Sequence, residues 1–180
     1  MDITFDKYQK RGAYHWKEYK RNTAYRKNAL KIKEWVRPGR TLDIGAGDGL
    51  ITSLLGAVGI DDNKVAVNLA RERKANVVYG DAYNLPFDVG EFDNVIMADV
   101  IEHLKRPEKA LEEINRVLND NGHLYIITPP KGGKMDKYHY REYSPEELID
   151  FMKEMGFSSY ADIDVRDDLK RMYGEFVLSK

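Results

Sequence analysis

Apolar and polar positions repeat with two different periods along this chain, and the switches between them mark its elements. From Thr23 to about Val36 the apolar side chains Tyr25, Ala29, Ile32 and Val36 are spaced four, three and four residues apart, as on one buried face of a helix, and Pro38-Gly39 end it. Upstream, Lys7 to Lys20 reads as partly helical, with Gly12 as a break. Thr41-Leu42-Asp43-Ile44 predicts a short buried strand, followed by the glycine-rich turn Gly45-Ala46-Gly47-Asp48-Gly49 and a short helix from Leu50 to Gly56. Further strands are predicted at Ala57 to Ile60, Val77 to Tyr79 and Phe92 to Ala98, with a helix over Asn63 to Lys74 and an extended stretch at Leu85-Pro86-Phe87. A helix from Pro107 to Leu118 buries Ala110, Leu111, Ile114, Val117 and Leu118, and Asn121-Gly122 turns the chain into a fifth strand, His123 to Thr128. Ser144-Pro145-Glu146-Glu147 starts another helix by three devices, a serine N-cap, proline at the first helical position and a glutamate completing a capping box; it runs to Met155. Phe157 to Val165 and Glu175 to Leu178 read as the last two strands.

Strands alternating with helices predict an α/β fold, a Rossmann-like doubly wound and mostly parallel sheet with helices on both faces. In such a sheet the ligand lies at the carboxyl ends of the strands. The 180 residues are expected to form one domain, with residues 1–40 as a helical cap over the sheet edge or the ligand mouth and 41–180 as the core. The absence of cysteine excludes disulfides, thiolate metal sites and cysteine nucleophiles, and no apolar run is long enough to span a bilayer. The N-terminus lacks the apolar core of a signal peptide, so a cytoplasmic enzyme is expected. A net charge of −1 hides an asymmetry, because residues 1–40 carry twelve Lys/Arg against four Asp/Glu. Interleaved with Tyr8, Tyr14, Trp16, Tyr19, Tyr25 and Trp35, this basic stretch reads either as a solvated face or as a footprint for an anionic partner, whether phosphorylated metabolite, nucleic acid or acidic neighbour.

The candidate chemistry starts at the glycine turn. Glycines at alternate positions permit positive φ and remove Cβ atoms, so that backbone can press against a ligand at the end of the first strand. A dinucleotide site wants G-x-G-x-x-G, but here the third position is Leu50 and the extra glycine, Gly49, comes one residue early. Asp43 also points a carboxylate toward the place of a pyrophosphate, which suits a cationic ligand better. Asp61 follows Asp43 by eighteen residues, where an acceptor for ribose hydroxyls belongs in a βαβ nucleotide unit, with Asp62 as the spare or as the N-cap of the next helix.

The pattern D-x-G-x-G-x-G, Asp43 to Gly49, resembles motif I of the class I S-adenosylmethionine (SAM)-dependent methyltransferases. The segments Gly80-Asp81-Ala82 and Leu85-Pro86-Phe87, Glu102-His103-Leu104 and the run RVLNDNGHLYIITPP to Pro130 resemble the same family, in its small single-domain, ubiquinone-pathway-like branch; the match in order and spacing runs from Thr41 to Gly156. The resemblance implies an antiparallel last strand in a hairpin at the sheet edge, and SAM as cofactor. Carried over, Asp43, Gly45, Ala46 and Gly47 hold the methionine part, Asp61 and Asp62 the ribose, and Gly80, Asp81 and Ala82 the adenine, Asp81 accepting from the exocyclic amine. Ala98 and Asp99 complete the cofactor set.

Methyl transfer from a sulfonium needs alignment, exclusion of water and a base for the acceptor proton. His123, opening a central strand, reads as structural. His103 after the fourth strand, His139 in the Lys131 to Tyr143 connection and His15 in the cap are the candidate bases. Asp99, Glu102 and His103 at i, i+3 and i+4 would share a helical face, and with His139 would suit Mg²⁺, Mn²⁺ or Fe²⁺. Small-RNA 2′-O-methyltransferases and some ubiquinone-pathway O-methyltransferases resemble this pattern. A metal-free site is the expectation, with those four residues as the alternative ligand set. The segment Tyr138 to Tyr143 resembles the H-x-R-E-Y run of small-molecule methyltransferases. The expected function is therefore methyl transfer from SAM to oxygen or nitrogen of a small-molecule acceptor, anionic ones included. An RNA methyltransferase and a non-catalytic SAM-fold subunit are the alternatives.

Overall fold

The computed structural model describes residues 6–132, 137–159, 163–166 and 171–178. Three helices come first: α1 (Lys7–Arg11), α2 (Tyr14–Arg21) and α3 (Thr23–Trp35). Gly12, at φ 63°, makes the break between α1 and α2, and the Asn22 side chain caps α3 by accepting from the Tyr25 amide. Strand β1 (Thr41–Ile44), α4 (Leu50–Leu55), β2 (Val58–Asp61), α5 (Lys64–Glu72), β3 (Val77–Tyr79) and β4 (Phe92–Ala98) follow. A single 3₁₀ turn, Ile101–His103, leads to α6 (Pro107–Val117), β5 (Leu118–Thr128), α7 (Pro145–Glu154), β6 (Phe157–Ser159), β7 (Asp164–Arg166) and β8 (Arg171–Leu178).

Among the described residues the strands form one sheet in the order β3-β2-β1-β4-β5-β8-β6, with β7 also paired to β8. Strands β3 to β5 are parallel, whereas β8 runs antiparallel to β5, β6 and β7. The order reverses between β1 and β4, and the carboxyl ends of those two strands form the crevice where such sheets bind ligands. Both faces are buried. Val95 and Met97 point to the side covered by Leu111 and Ile114 of α6, while the intervening Ile96 packs with Tyr125, Ile127 and Tyr173 beneath Ile32 and Val36 of α3. Helix α3 is thereby fixed to the sheet by its own apolar stripe. No described helix is long and apolar enough to cross a membrane.

Four local expectations are corrected. Strand β5 begins at Leu118 and not at His123; Asn121, at φ 62°, and Gly122 make an irregularity inside it, where Phe92 pairs with Leu118 and Asn94 with His123. The stretch Phe157 to Val165 is not one strand, since β6 ends at Ser159 and β7 begins at Asp164, residues 160–162 lying outside the described set. Strand β8 starts at Arg171, four positions before the expected Glu175, because its early residues pair with both β5 and β7. The N-cap of α5 is Asn63, whose side chain accepts from the Val65 and Ala66 amides, and not Asp62. The Ser144 capping box forms as expected.

Candidate active site

The end of β1 turns on Gly45 (φ 70°) and Gly47 (φ 56°), conformations that side-chain-bearing residues rarely adopt. The space freed by the missing Cβ atoms is used by the protein itself. A Cβ on Gly45 would stand 2.4 Å from Val100 Cγ2, and one on Gly47 would stand 2.0 Å from the Tyr8 hydroxyl. The glycines therefore let Val100, beyond the end of β4, and helix α1 close down on the turn.

Asp48 is the residue of the turn that the sequence reading passed over. Its carboxylate is fully buried and accepts from the His15 amide at 2.9 Å, with His15 Nδ1 3.2 Å away, and its carbonyl accepts from the Trp16 indole at 2.8 Å. The start of α2 is thus tied to the cofactor turn, and the N-terminal helices lie over the ligand mouth. His15, a candidate base, has its Nδ1 turned to Asp48.

Asp43 is buried at the end of β1 and accepts from the Thr52 hydroxyl at 2.6 Å. Burial pushes its carboxyl up to about 7, the Thr52 hydrogen bond pulling the other way. Asp61, closing β2, accepts from the Gly47 and Asn63 amides at 2.8 Å each, and burial pushes it up to about 6. It braces the glycine turn, and each carboxylate oxygen retains a second lone pair for a hydroxyl donor. Burial also raises the half-buried Asp62. All three carboxylates line one cavity of about 420 Å³ with Gly45, Ala46, Ala98 and Asp99. A smaller depression of about 40 Å³ adjoins it and is lined by Gly80, Asp81 and Ala82 together with Gly45, Asp61 and Asp62. Asp81 itself is exposed and accepts from the Tyr83 amide at 2.9 Å. Of the residues expected to hold the cofactor, all but Gly47 line one or other of these two adjoining cavities, and the space beside Gly47 is taken by the Tyr8 hydroxyl.

The far end of the cavity is built by the exit of β4. Asp99 has φ 55° and is held by Arg171, whose Nε lies 2.6 Å from Oδ1 and whose Nη2 lies 3.4 Å from Oδ2. Glu102 is 1 % exposed, accepts from the Thr128 hydroxyl at 3.0 Å, and is held well above the usual carboxylate range by burial, with the charge of Asp99 adding to the effect. His103 Nδ1 lies 2.9 Å from the Tyr138 carbonyl and His139 Nδ1 3.3 Å from Glu142 Oε1. Neither oxygen can donate, so Nδ1 carries the hydrogen in both rings and Nε2 is the basic nitrogen. The ring centroids are 4.9 Å apart in an edge-to-face pair.

This arrangement corrects the geometry of the alternative four-residue ligand set. The segment is a 3₁₀ turn and Asp99 precedes it, so the i, i+3, i+4 face does not form and Asp99 pairs with Arg171 instead. One ligand atom each from Glu102, His103 and His139 does converge, all within 4.8 Å of one another. In the Lys131 to Tyr143 connection, residues 133–136 lie outside the described set, and the remainder is anchored by the Tyr140 amide donating to the Glu102 carbonyl at 2.8 Å. His123 lies 2.8 Å from Glu175, away from the cavity, as a structural residue would.

Comparison with known proteins agrees with this geometry. The methyltransferase domain family matches residues 42–126, which span the glycine turn to the end of β5. An uncharacterised protein of Methanocaldococcus jannaschii, MJ1123, is 28% identical over 84% of each chain. The demethylmenaquinone methyltransferase of Thermotoga maritima is 25% identical over 76% of this chain and 77% of its own. In fold, a SAM-dependent methyltransferase structure from Thermotoga maritima superposes with a TM-score of 0.80 at 22% identity, covering 96% of this chain and 98% of the other. The domain match, the relatives and the architecture agree in likening this chain to the SAM-dependent methyltransferases.

Proposed function

We propose that the chain transfers the methyl group of SAM to an oxygen or nitrogen of a small-molecule acceptor bound between the glycine turn, α3 and the Glu102-His103 turn. The observation that carries this reading is the cavity joining the carboxylates at the ends of β1 and β2 to two imidazoles whose Nδ1 atoms face the Tyr138 carbonyl and the Glu142 carboxylate. The donor set fits the cofactor: carboxylates beside a tight glycine turn suit an amine and ribose hydroxyls, and Asp61 has lone pairs to accept from the latter. In this reading Asp43, Gly45, Ala46 and Gly47 hold the methionine part, Asp61 and Asp62 the ribose, Gly80, Asp81 and Ala82 the adenine, and Ala98 and Asp99 close the site. SAM supplies an electrophilic methyl group on sulfur. Once SAM is bound, the acceptor would displace its methyl group from sulfur, and His103 or His139 would take the acceptor proton. Tyr14, Tyr25 and Ile32 of the cap helices exclude water from that end. With Arg171 held by Asp99, the site favours a neutral acceptor over an anionic one.

Transfer of isotope-labelled methyl from SAM to a panel of phenols and amines tests this. His103→Ala or His139→Ala should lower kcat about a hundredfold with SAM affinity unchanged; full activity in both variants would remove the imidazoles from the mechanism.

The converging donors support a second reading in which a divalent cation sits on Glu102, His103 and His139 and polarises the acceptor oxygen. The Tyr138 carbonyl and the Glu142 carboxylate orient the imidazoles as outer-shell partners of metal ligands do. Mn²⁺ added to chelated protein should then raise both melting temperature and turnover; no change in either would dismiss it.

A further inference from the structure

The inward face of α3 carries Tyr25, Asn28, Ala29 and Ile32, at i, i+3, i+4 and i+7, and all four line the cavity. Three of them are the aromatic or apolar residues that such a stripe calls for. Asn28 is the exception. It is 7 % exposed, and its side-chain Nδ2 makes no hydrogen bond among the described residues. A buried amide donor without a partner is costly, so a leucine would stabilise this position if packing were its whole role. One turn further along, Ile32 joins Ile127 and Tyr173, with Ile51 and Ala98 packed alongside, so the wall next to Asn28 is apolar. The feature is thus a buried, unpartnered amide donor on a wall whose other members are apolar or aromatic, supplied by a helix of the cap.

From this we infer that Asn28 is a specificity-determining residue for the methyl acceptor, donating from Nδ2 to a carbonyl or hydroxyl oxygen on an uncharged, largely apolar ring. The donor is neutral, so it rewards an uncharged oxygen and offers no ion pair to a carboxylate or phosphate. The flanking Tyr25 and Tyr173 rings and the Ile32 side chain provide area for a planar body. A site whose polar group is left unanswered by an analogue lacking the oxygen discriminates strongly against that analogue. The inference rests on the methyl-transfer reading, since it assigns that cavity's acceptor end.

The test uses the full chain saturated with S-adenosylhomocysteine and titrated calorimetrically with 1-naphthol and with its apolar isostere 1-methylnaphthalene. Wild-type protein should prefer the naphthol about tenfold, and Asn28→Leu should abolish that preference while leaving affinity for S-adenosylhomocysteine unchanged. Asn28→Leu should also raise the melting temperature of the ligand-free protein, which loss of a merely structural hydrogen bond would not do. Asn28→Asp, which keeps the shape but replaces the donor, should lose the preference as well. A preference unaltered in Asn28→Leu, failure of both probes to bind the wild-type complex, or a variant that loses S-adenosylhomocysteine instead would overturn the assignment. Failure of the wild-type protein to bind S-adenosylhomocysteine at all would instead count against the methyl-transfer reading itself.

Discussion

At the residue scale the site is built from buried carboxylates that have little cationic compensation. Asp43 titrates near 7 in the folded chain against an ordinary 3.8, and Asp61 near 6, in both cases because burial disfavours the charged form. A raised folded-state pKa means that the native protein holds a proton which the unfolded chain has released. Stability from these groups is complete below the ordinary carboxylate pKa and is lost as pH rises through 6 to 7. Ligand-free protein should therefore melt at a higher temperature at about pH 5 than at about pH 8, and Asp43→Asn should flatten that slope. A melting temperature that rises over the same interval in wild-type protein would contradict the assignment of these carboxyls as buried and uncompensated.

At the scale of elements, the N-terminal helices are joined to the cofactor turn by Asp48 and to the sheet by the apolar face of α3. Replacing Asp48 by alanine leaves the His15 amide without its carboxylate acceptor, while the Trp16 indole keeps the backbone carbonyl at position 48, and should cost roughly 1–3 kcal/mol. The loss should be local. Hydrogen exchange should accelerate in α1 and α2, while the amides of β1, β4 and β5 keep their protection; acceleration spread evenly over the sheet would show that the cap has no separate attachment. This element also shows where sequence reading stops. The glycine turn, the succession of strands and helices as far as β5 and the capping box at Ser144 were legible because each depends on neighbours along the chain. Asp48 was not, because its partners lie 32 and 33 positions away. The Asp99–Arg171 pair, 72 positions apart, removed a carboxylate that spacing alone had placed with His103. At α5 the cap moved by one residue, from Asp62 to Asn63, because Asp61 and Asn63 make the hydrogen bonds that settle the turn.

At the scale of the molecule, the parallel half of the sheet presents the residues proposed to hold the cofactor, and the antiparallel strand β8 delivers Arg171 and Tyr173 to the proposed acceptor end of the cavity. The 3₁₀ turn after β4 and the connection after β5 bring His103 and His139 together, so the proposed transfer chemistry depends on elements from both halves. What remains legible from sequence at this scale is the fold class and the carboxyl-end edge of the sheet, whereas the β1/β4 switch is set by strand pairing. The shape of the acceptor end follows from the packing of α3, for which the sequence offered periodicity and not position.

The most direct test of the account is calorimetric titration of the chain with SAM, with Asp61→Ala and with NAD as controls. The account predicts micromolar binding of one SAM per chain, a loss of about tenfold or more in Asp61→Ala, and no binding of NAD. Folded protein that fails to bind SAM, or that binds it equally well without the Asp61 carboxylate, would contradict it.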